Sequence, residues 1–165
     1  MLEKIKELEA SSEFQKYKNK NQDIFLAHVF YMIDEVNKDI VQVGYYNKKT
    51  EKIVTFVMEK GKICTNPEEQ VFKEQKTVIN PIELSRVKIN IEEALKIAEE
   101  LRNEKYKDQL PIKRIAILQH LPLGQVWNIT YVTQAFKTLN IKIDSKTKKI
   151  VSDKLVSIVE LGPTS

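Results

Sequence analysis

The chain has few of the residues that carry recognisable chemistry. Among 165 residues there are one cysteine, Cys64, two histidines, His28 and His120, one tryptophan, Trp127, and four glycines. A single cysteine rules out an intrachain disulfide, which suits a reducing compartment or indifference to one. The histidines occur in neither H-x-x-x-H nor H-E-x-x-H spacing and pair with no cysteine, so no metal is expected. So few glycines leave no phosphate-cradling loop, and no serine stands in a G-x-S-x-G turn. No apolar run approaches the roughly 18 residues that a membrane-spanning helix needs. The first residues, MLEKIKELEASSEF, are charged and lack the apolar core of a secretory leader. Together these absences set the expectation of a non-enzymatic protein without cofactor or membrane span. It is read as cytoplasmic, or as extracytoplasmic if a leader has been removed.

Composition is otherwise that of a globular chain, 42% hydrophobic and 30% charged. A chain of this length buries about two-thirds of its unfolded surface and needs neither disulfide nor metal to fold. The net charge of +4 is unevenly placed. Residues 1–82 carry 13 basic and 13 acidic side chains, and residues 83–165 carry 14 and 10, so the whole excess lies in the second half. An excess of this size is the usual device for solubility, and it lacks the dense clustering of a nucleic-acid footprint.

The clearest element is a helix opening at Asn90 in NIEEALKIAEELRNEKY. Asn90 is a good N-cap, and Glu93 three residues on completes a capping box. Ile91, Ala94, Leu95, Ala98 and Leu101 line one face at helical spacing. Glu92 and Glu93 complement the positive end of the helix dipole, and Arg102 and Lys105 the negative end. Glu92, Glu93, Glu99 and Glu100 read as surface carboxylates paired with basic groups or water. Strands follow in IKRIAIL, in Trp127–Phe136 and in TLNIKI, then a turn at DSKTKK and a last strand in IVSDKLVSIV. In the Trp127 segment, Trp127, Ile129, Tyr131, Thr133 and Ala135 share one face, and Asn128, Thr130, Val132 and Gln134 the other. Leu139, Ile141 and Ile143 alternate with Asn140, Lys142 and Asp144, which predicts a hairpin with one core face and one wet face.

The first half repeats this order more weakly. Residues 2–18 have helical periodicity, and IFLAHVFYMI at 24–33 reads as a strand buried on both faces or covered by a helix. IVQVGYY and IVTFVM are strands joined by the loop NKKTEK, and residues 62–65 offer a short further one. Between Pro67 and Pro81, VFKEQKTVI could add another, and the tail ELGPTS is expected to fray.

The segments YNKKTEKIVT (46–55) and IDSKTKKIVS (143–152) align, with Lys49/Lys146, Thr50/Thr147, Lys52/Lys149, Ile53/Ile150 and Val54/Val151 identical. Each is a strand ending at an Asx-type turn, then a strand starting with two branched residues. The expected fold is therefore α+β, two α-β-β-β repeats with helices packed on antiparallel sheets. Residues 1–65 would form the first repeat, 66–89 a connector and 90–165 the second, all parts of one packed unit. The repeats could also swap between two chains, leaving the oligomeric state open and a dimer possible.

The second half resembles the PepSY domain family, through the helix INIEEALKIAEE, the strand VWNITYVT and the hairpin NIKIDSKTKKIVS. The family pattern in this hairpin is V-D-x-x-T-G-x-V, and here Lys148 stands where glycine is usual. The resemblance covers about 65 residues. A tandem pair would look cystatin-like, and the resemblance implies a binding or inhibitory module, as in the propeptides of some secreted thermolysin-like peptidases. It implies no catalytic residues.

A protein or peptide partner is thus the first functional expectation, met by the sheet surface or a strand edge. A ligand-binding or enzymatic pocket between helix and sheet is the alternative. A further alternative is weak nucleic-acid binding. Lys142, Lys146, Lys148, Lys149 and Lys154 surround the last hairpin, with Trp127 or Tyr131 as a stacking surface. The plainer reading of the lysines is a solvated hairpin tip that discourages edge pairing, and that of Trp127 is a core anchor beneath the helix. His28 reads as a core or partly exposed histidine, His120 as a surface residue at a strand end, and Cys64 as a semi-buried, inert thiol.

Overall fold

A computed structural model describes residues 1–70 and 78–161, with only the backbone of Gln70, Glu160 and Leu161. Three α-helices and eight strands are found among the described residues: α1 (Leu2–Ala10), α2 (Ser12–Lys20), β1 (Ile24–Met32), β2 (Ile40–Asn47), β3 (Lys52–Glu59), β4 (Lys62–Gln70), α3 (Ile91–Lys105), β5 (Pro111–Leu121), β6 (Gly124–Thr133), β7 (Lys137–Asp144) and β8 (Ile150–Ser157). The strands form one antiparallel sheet in the order β4-β3-β2-β1-β5-β6-β7-β8.

The expected continuous helix over 2–18 is broken at Ser11, whose backbone is extended at φ −72° and ψ 154°. Its hydroxyl donates to Leu8 O at 2.6 Å and accepts from Phe14 N at 3.2 Å. One serine thus ends α1 and caps α2, which is what serine does well at a helix start. Helix α3 has the capping box that its sequence predicts. Glu93 N donates to Asn90 Oδ1 at 2.8 Å, and Asn90 N donates to Glu93 Oε2 at 3.1 Å.

Two α-β-β-β repeats, each with its own sheet, are not what forms. Each half contributes four strands, and β1 pairs with β5 from His28↔Gln119 to Met32↔Ile115, which merges them into a single sheet. Strand β4 runs through Gln70, into the stretch expected as connector. The expected strand at 71–79 falls mostly on residues 71–77, outside the described residues, as do 162–165 of the tail.

The difference is plain in the aligned hairpins. They are β2–β3, the second and third strands of their half, and β7–β8, the third and fourth of theirs, so the match does not mark equivalent places in the sheet. It marks a shared turn. Asn47 Oδ1 accepts from Lys49 N at 2.9 Å and Thr50 N at 3.3 Å, and Asp144 Oδ1 accepts from Lys146 N at 2.9 Å and Thr147 N at 2.7 Å. Each turn then passes through a left-handed residue, Glu51 at φ 58° and Lys148 at φ 68°. Side-chain acceptors that bind amides two and three residues on impose this local sequence wherever such a turn occurs.

A single core joins the helices to one sheet face. Ile5, Leu8 and Phe14 from the first helices and Ala94 and Ala98 from α3 share it with Val29, Val43, Phe56, Leu118, Trp127, Ile129, Leu139 and Ile141. Phe14 packs its ring 4.8 Å from Tyr45 and 5.5 Å from Phe56. Each large apolar side chain buried here contributes roughly 1.5–3 kcal/mol.

The connecting segment ahead of α3 is tied to the end of the sheet. Ile82 N donates to Leu26 O at 2.9 Å, and Lys88 N donates to Ser145 O at 2.8 Å. Buried Gln125 accepts from Glu83 N at 2.8 Å and donates to Ser145 Oγ at 3.2 Å.

The left-handed turn residue yields a stability test. A side chain in this region costs about 1–2 kcal/mol that glycine avoids, while glycine gives back about 0.4–1 kcal/mol through its freer unfolded chain. The Lys148–Glu93 ion pair lost with the lysine is exposed on both sides and contributes little. Lys148→Gly should therefore raise the urea midpoint, by a stability gain of about 0.5–1 kcal/mol. An unchanged or lower midpoint would show that the turn is not strained.

Candidate functional site

The expected binding surface does not assemble. Trp127 and Tyr131 are 0% and 1% exposed, on the helix-covered face, and offer no ring for stacking. Trp127 Nε1 donates to Ile89 O at 3.1 Å, which makes it the anchor beneath α3. Burial, and then the Glu99 carboxylate, push the Tyr131 hydroxyl well above its ordinary range. Trp127, Ile129, Tyr131, Leu139 and Ile141 fill the space between α3 and the sheet, which counts against a ligand pocket there.

The lysines divide. Lys146, Lys148 and Lys149 lie in the β7–β8 turn, and Lys148 Nζ sits 3.0 Å from Glu93 Oε1 on α3. Lys142 lies on the opposite sheet face from Trp127, because Trp127 pairs with Ile143 and Asn128 with Lys142. Period-two alternation along β6 and β7 therefore separates the aromatics from Lys142 by the thickness of the sheet.

Of the helix carboxylates singled out in the sequence, Glu93 and Glu99 are committed to structure, while Glu92 and Glu100 are exposed. Glu93 is held below the ordinary carboxyl range by Lys148 and by the Asn90 amide. Glu99 is held low by Arg102, whose Nη2 lies 2.5 Å from its Oε1. Arg102 is buried rather than solvated, and Nη1 also donates to Gln109 O at 3.2 Å. The Asp153 carboxylate bonds Lys105 at 2.6 Å and the Tyr106 hydroxyl at 2.5 Å, which ties β8 to α3.

The sheet face away from the helices is the surface that needs a role. Strand register places Phe30, Ile117, Asn128, Lys142 and Ser152 in one row across β1, β5, β6, β7 and β8, with Gln42 and Val57 continuing it on β2 and β3. Met32, Ile115, Thr130, Asn140 and Lys154 form the next row. None of these residues belongs to the helix-side core. Phe30, Met32, Val57, Ile115 and Ile117 are only half-buried, so an apolar patch stays in contact with solvent at the middle of the sheet.

Beside it lies a polar ladder. Asn140 Nδ2 donates to Asn128 Oδ1 at 2.5 Å and to Thr130 Oγ1 at 3.0 Å, and Lys142 Nζ donates to Asn140 Oδ1 at 2.5 Å. Burial, and then the nearby Lys154, lower the Lys142 ammonium below its ordinary value.

At the end of this face, His28 and His120 line one cleft of about 160 Å³ with Gln119 and Asn80. The His28 imidazole lies against Gly44, where a Cβ would be 2.1 Å from His28 Cε1. His120 Nδ1 is 2.9 Å from Pro81 O. Cys64, expected to be semi-buried, is exposed on β4. No group of three or more histidine, cysteine or acidic residues among the described residues could hold a metal ion.

The sequence signal for the open face was the wet side of the β6–β7 hairpin, Asn128, Thr130, Asn140 and Lys142. Its apolar half was hidden in IFLAHVFYMI, where both faces of β1 are apolar. Such a run cannot say which face meets the helices.

No family model and no curated protein matches the chain. Among solved structures it is similar to a candidate lipoprotein from Clostridium difficile 630, at 14% identity and a TM-score of 0.57, over 87% of this chain and 90% of that one. At that identity the likeness concerns the fold.

Two tests address the cleft. Gly44→Ala should cost about 1–3 kcal/mol by overpacking, and much less in a His28→Ala background. Equal costs in both backgrounds would show that the imidazole is not what requires glycine. Burial also lowers the His28 pKa from its ordinary 6.5. Above 6.5 the imidazole is neutral whether folded or not. As pH falls below it, the unfolded chain takes up a proton that the folded site resists, so stability declines until pH passes the folded value. Between pH 7 and 5, wild type should lose more stability than His28→Asn. Identical pH profiles would contradict this.

Proposed function

We propose that the protein is a non-catalytic binding module that docks a protein or peptide on its open sheet face. The observation that carries this reading is the half-buried apolar patch of Phe30, Ile117, Val57, Met32 and Ile115, which lies outside the helix-side core. A patch of this kind bordered by polar side chains favours association with another macromolecule. The resemblance of the second half to PepSY domains supports the same direction, since it implies a binding or inhibitory role. An extracytoplasmic place of action is part of the proposal, and it rests on the designation of the structural neighbour alone.

Ile117→Asp and Phe30→Asp place a carboxylate on the patch without entering the helix-side core. Affinity capture from source cells at two salt concentrations should yield a stoichiometric, salt-resistant protein with the wild type. Both variants should lose it while keeping the wild-type circular dichroism spectrum. A partner retained by folded open-face variants would exclude this face as the docking surface.

A further inference from the structure

The open face is asymmetric in charge. On the β5–β8 half, register places Lys113, Lys142 and Lys154 on this face together with Asn128, Thr130, Thr138 and Asn140. Among the described residues, the carboxylate on the same face of these four strands is Asp144, at the end of β7, where its Oδ1 accepts from Lys146 N and Thr147 N. Asp153, next to Lys154 in sequence, points to the other face and bonds Lys105 of α3 and Tyr106 just beyond it. Lys113 has an acidic neighbour. The Asp34 carboxyl is held below its ordinary value first by Asn37 and in part by Lys113. Lys142 and Lys154 are different. They sit on adjacent strands near enough to repel each other, and Lys142 makes its hydrogen bond to an amide oxygen rather than to a carboxylate. The face thus pairs an apolar centre, Phe30, Met32, Ile115 and Ile117, with a flank holding two cations that make no ion pair among the described residues.

We infer that the partner is an acidic protein segment, whose apolar side chains cover the β1–β5 patch and whose carboxylates meet Lys142 and Lys154. This presupposes that the open face is the docking surface. From β1 to β8 is four strand spacings of about 4.8 Å, or roughly 19 Å. About six extended residues span that distance, so a short segment with an apolar half followed by an acidic half matches the layout. Carboxylates arriving there relieve the repulsion between the two ammonium groups and satisfy donors that the fold leaves to one amide and to solvent.

The test uses fluorescein-labelled block peptides, four apolar residues followed by four glutamates, four serines or four lysines. Anisotropy is measured with the full chain at low and high salt. The glutamate peptide should bind about tenfold more tightly than the serine peptide at low salt, with the gap closing as salt rises. The lysine peptide should bind more weakly than either. Lys142→Gln combined with Lys154→Gln should erase the gap while leaving serine-peptide binding unchanged. Lys154→Gln alone, at an exposed strand position, should reduce the gap without disturbing the fold.

Equal binding of the glutamate and serine peptides, both lost in Ile117→Asp, would overturn the acidic partner and leave the open-face reading standing. Binding that is indifferent to Ile117→Asp, or no binding by any peptide, would count against both. Lysine-dependent binding to phosphatidylglycerol vesicles or to oligothymidylate, tighter than to the glutamate peptide, would overturn the inference in favour of a lipid surface or a nucleic acid.

Discussion

The pairing of β1 with β5 is the constraint on which the rest of the molecule depends. Five residue pairs, His28↔Gln119 to Met32↔Ile115, turn two four-stranded halves into one sheet. Once the sheet is continuous, its two faces have different fates. Three short helices have enough apolar surface to cover one face, and they share a single core on it. The other face keeps the alternate residues of the same strands. In β1 and β5 those alternates are Phe30, Met32, Ile115 and Ile117, so the junction that holds the halves together also puts an apolar patch in water.

Much of this was legible in the sequence at the level of elements and far less at the level of assembly. The α3 capping box was readable because it depends on Asn90 and Glu93 alone. The in-and-out alternation of β6 and β7 was readable because period two is local. The helix break at Ser11 was missed because the apolar spacing continues through it, and only the hydroxyl bridging Leu8 O and Phe14 N reveals it. The alignment of the two hairpins misled for a physical reason. Asn47 and Asp144 organise the same turn, and the turn dictates the residues that follow, regardless of which strands it joins. The expected three-strand units with separate sheets give way to helix and then four strands in each half, in mirrored order within one sheet.

The site shows the same division. Trp127 and the hairpin lysines are near one another in sequence, and the pleat puts Trp127 and Lys142 on opposite sides of the sheet. Trp127 serves the core through Ile89 O, whereas Lys142 serves the open face. Sequence could not link Lys142 and Lys154 to Phe30 and Ile117, because these residues come from four different strands and meet only through register. The charge excess of the second half, read from sequence as a solubility device, has a counterpart on the open face of β5–β8, where the lysines outnumber the carboxylates among the described residues.

Docking on the open face requires that the patch at the β1–β5 junction meet solvent. Methyl NMR of the free protein with a dissolved paramagnetic agent measures this residue by residue. Met32, Val57, Ile115 and Ile117 should be relaxed strongly, and Leu139, Ile141 and Ile143, under the helices, hardly at all. Equal protection of both sets would mean that the second face is covered as well, and the docking surface proposed for it would not exist.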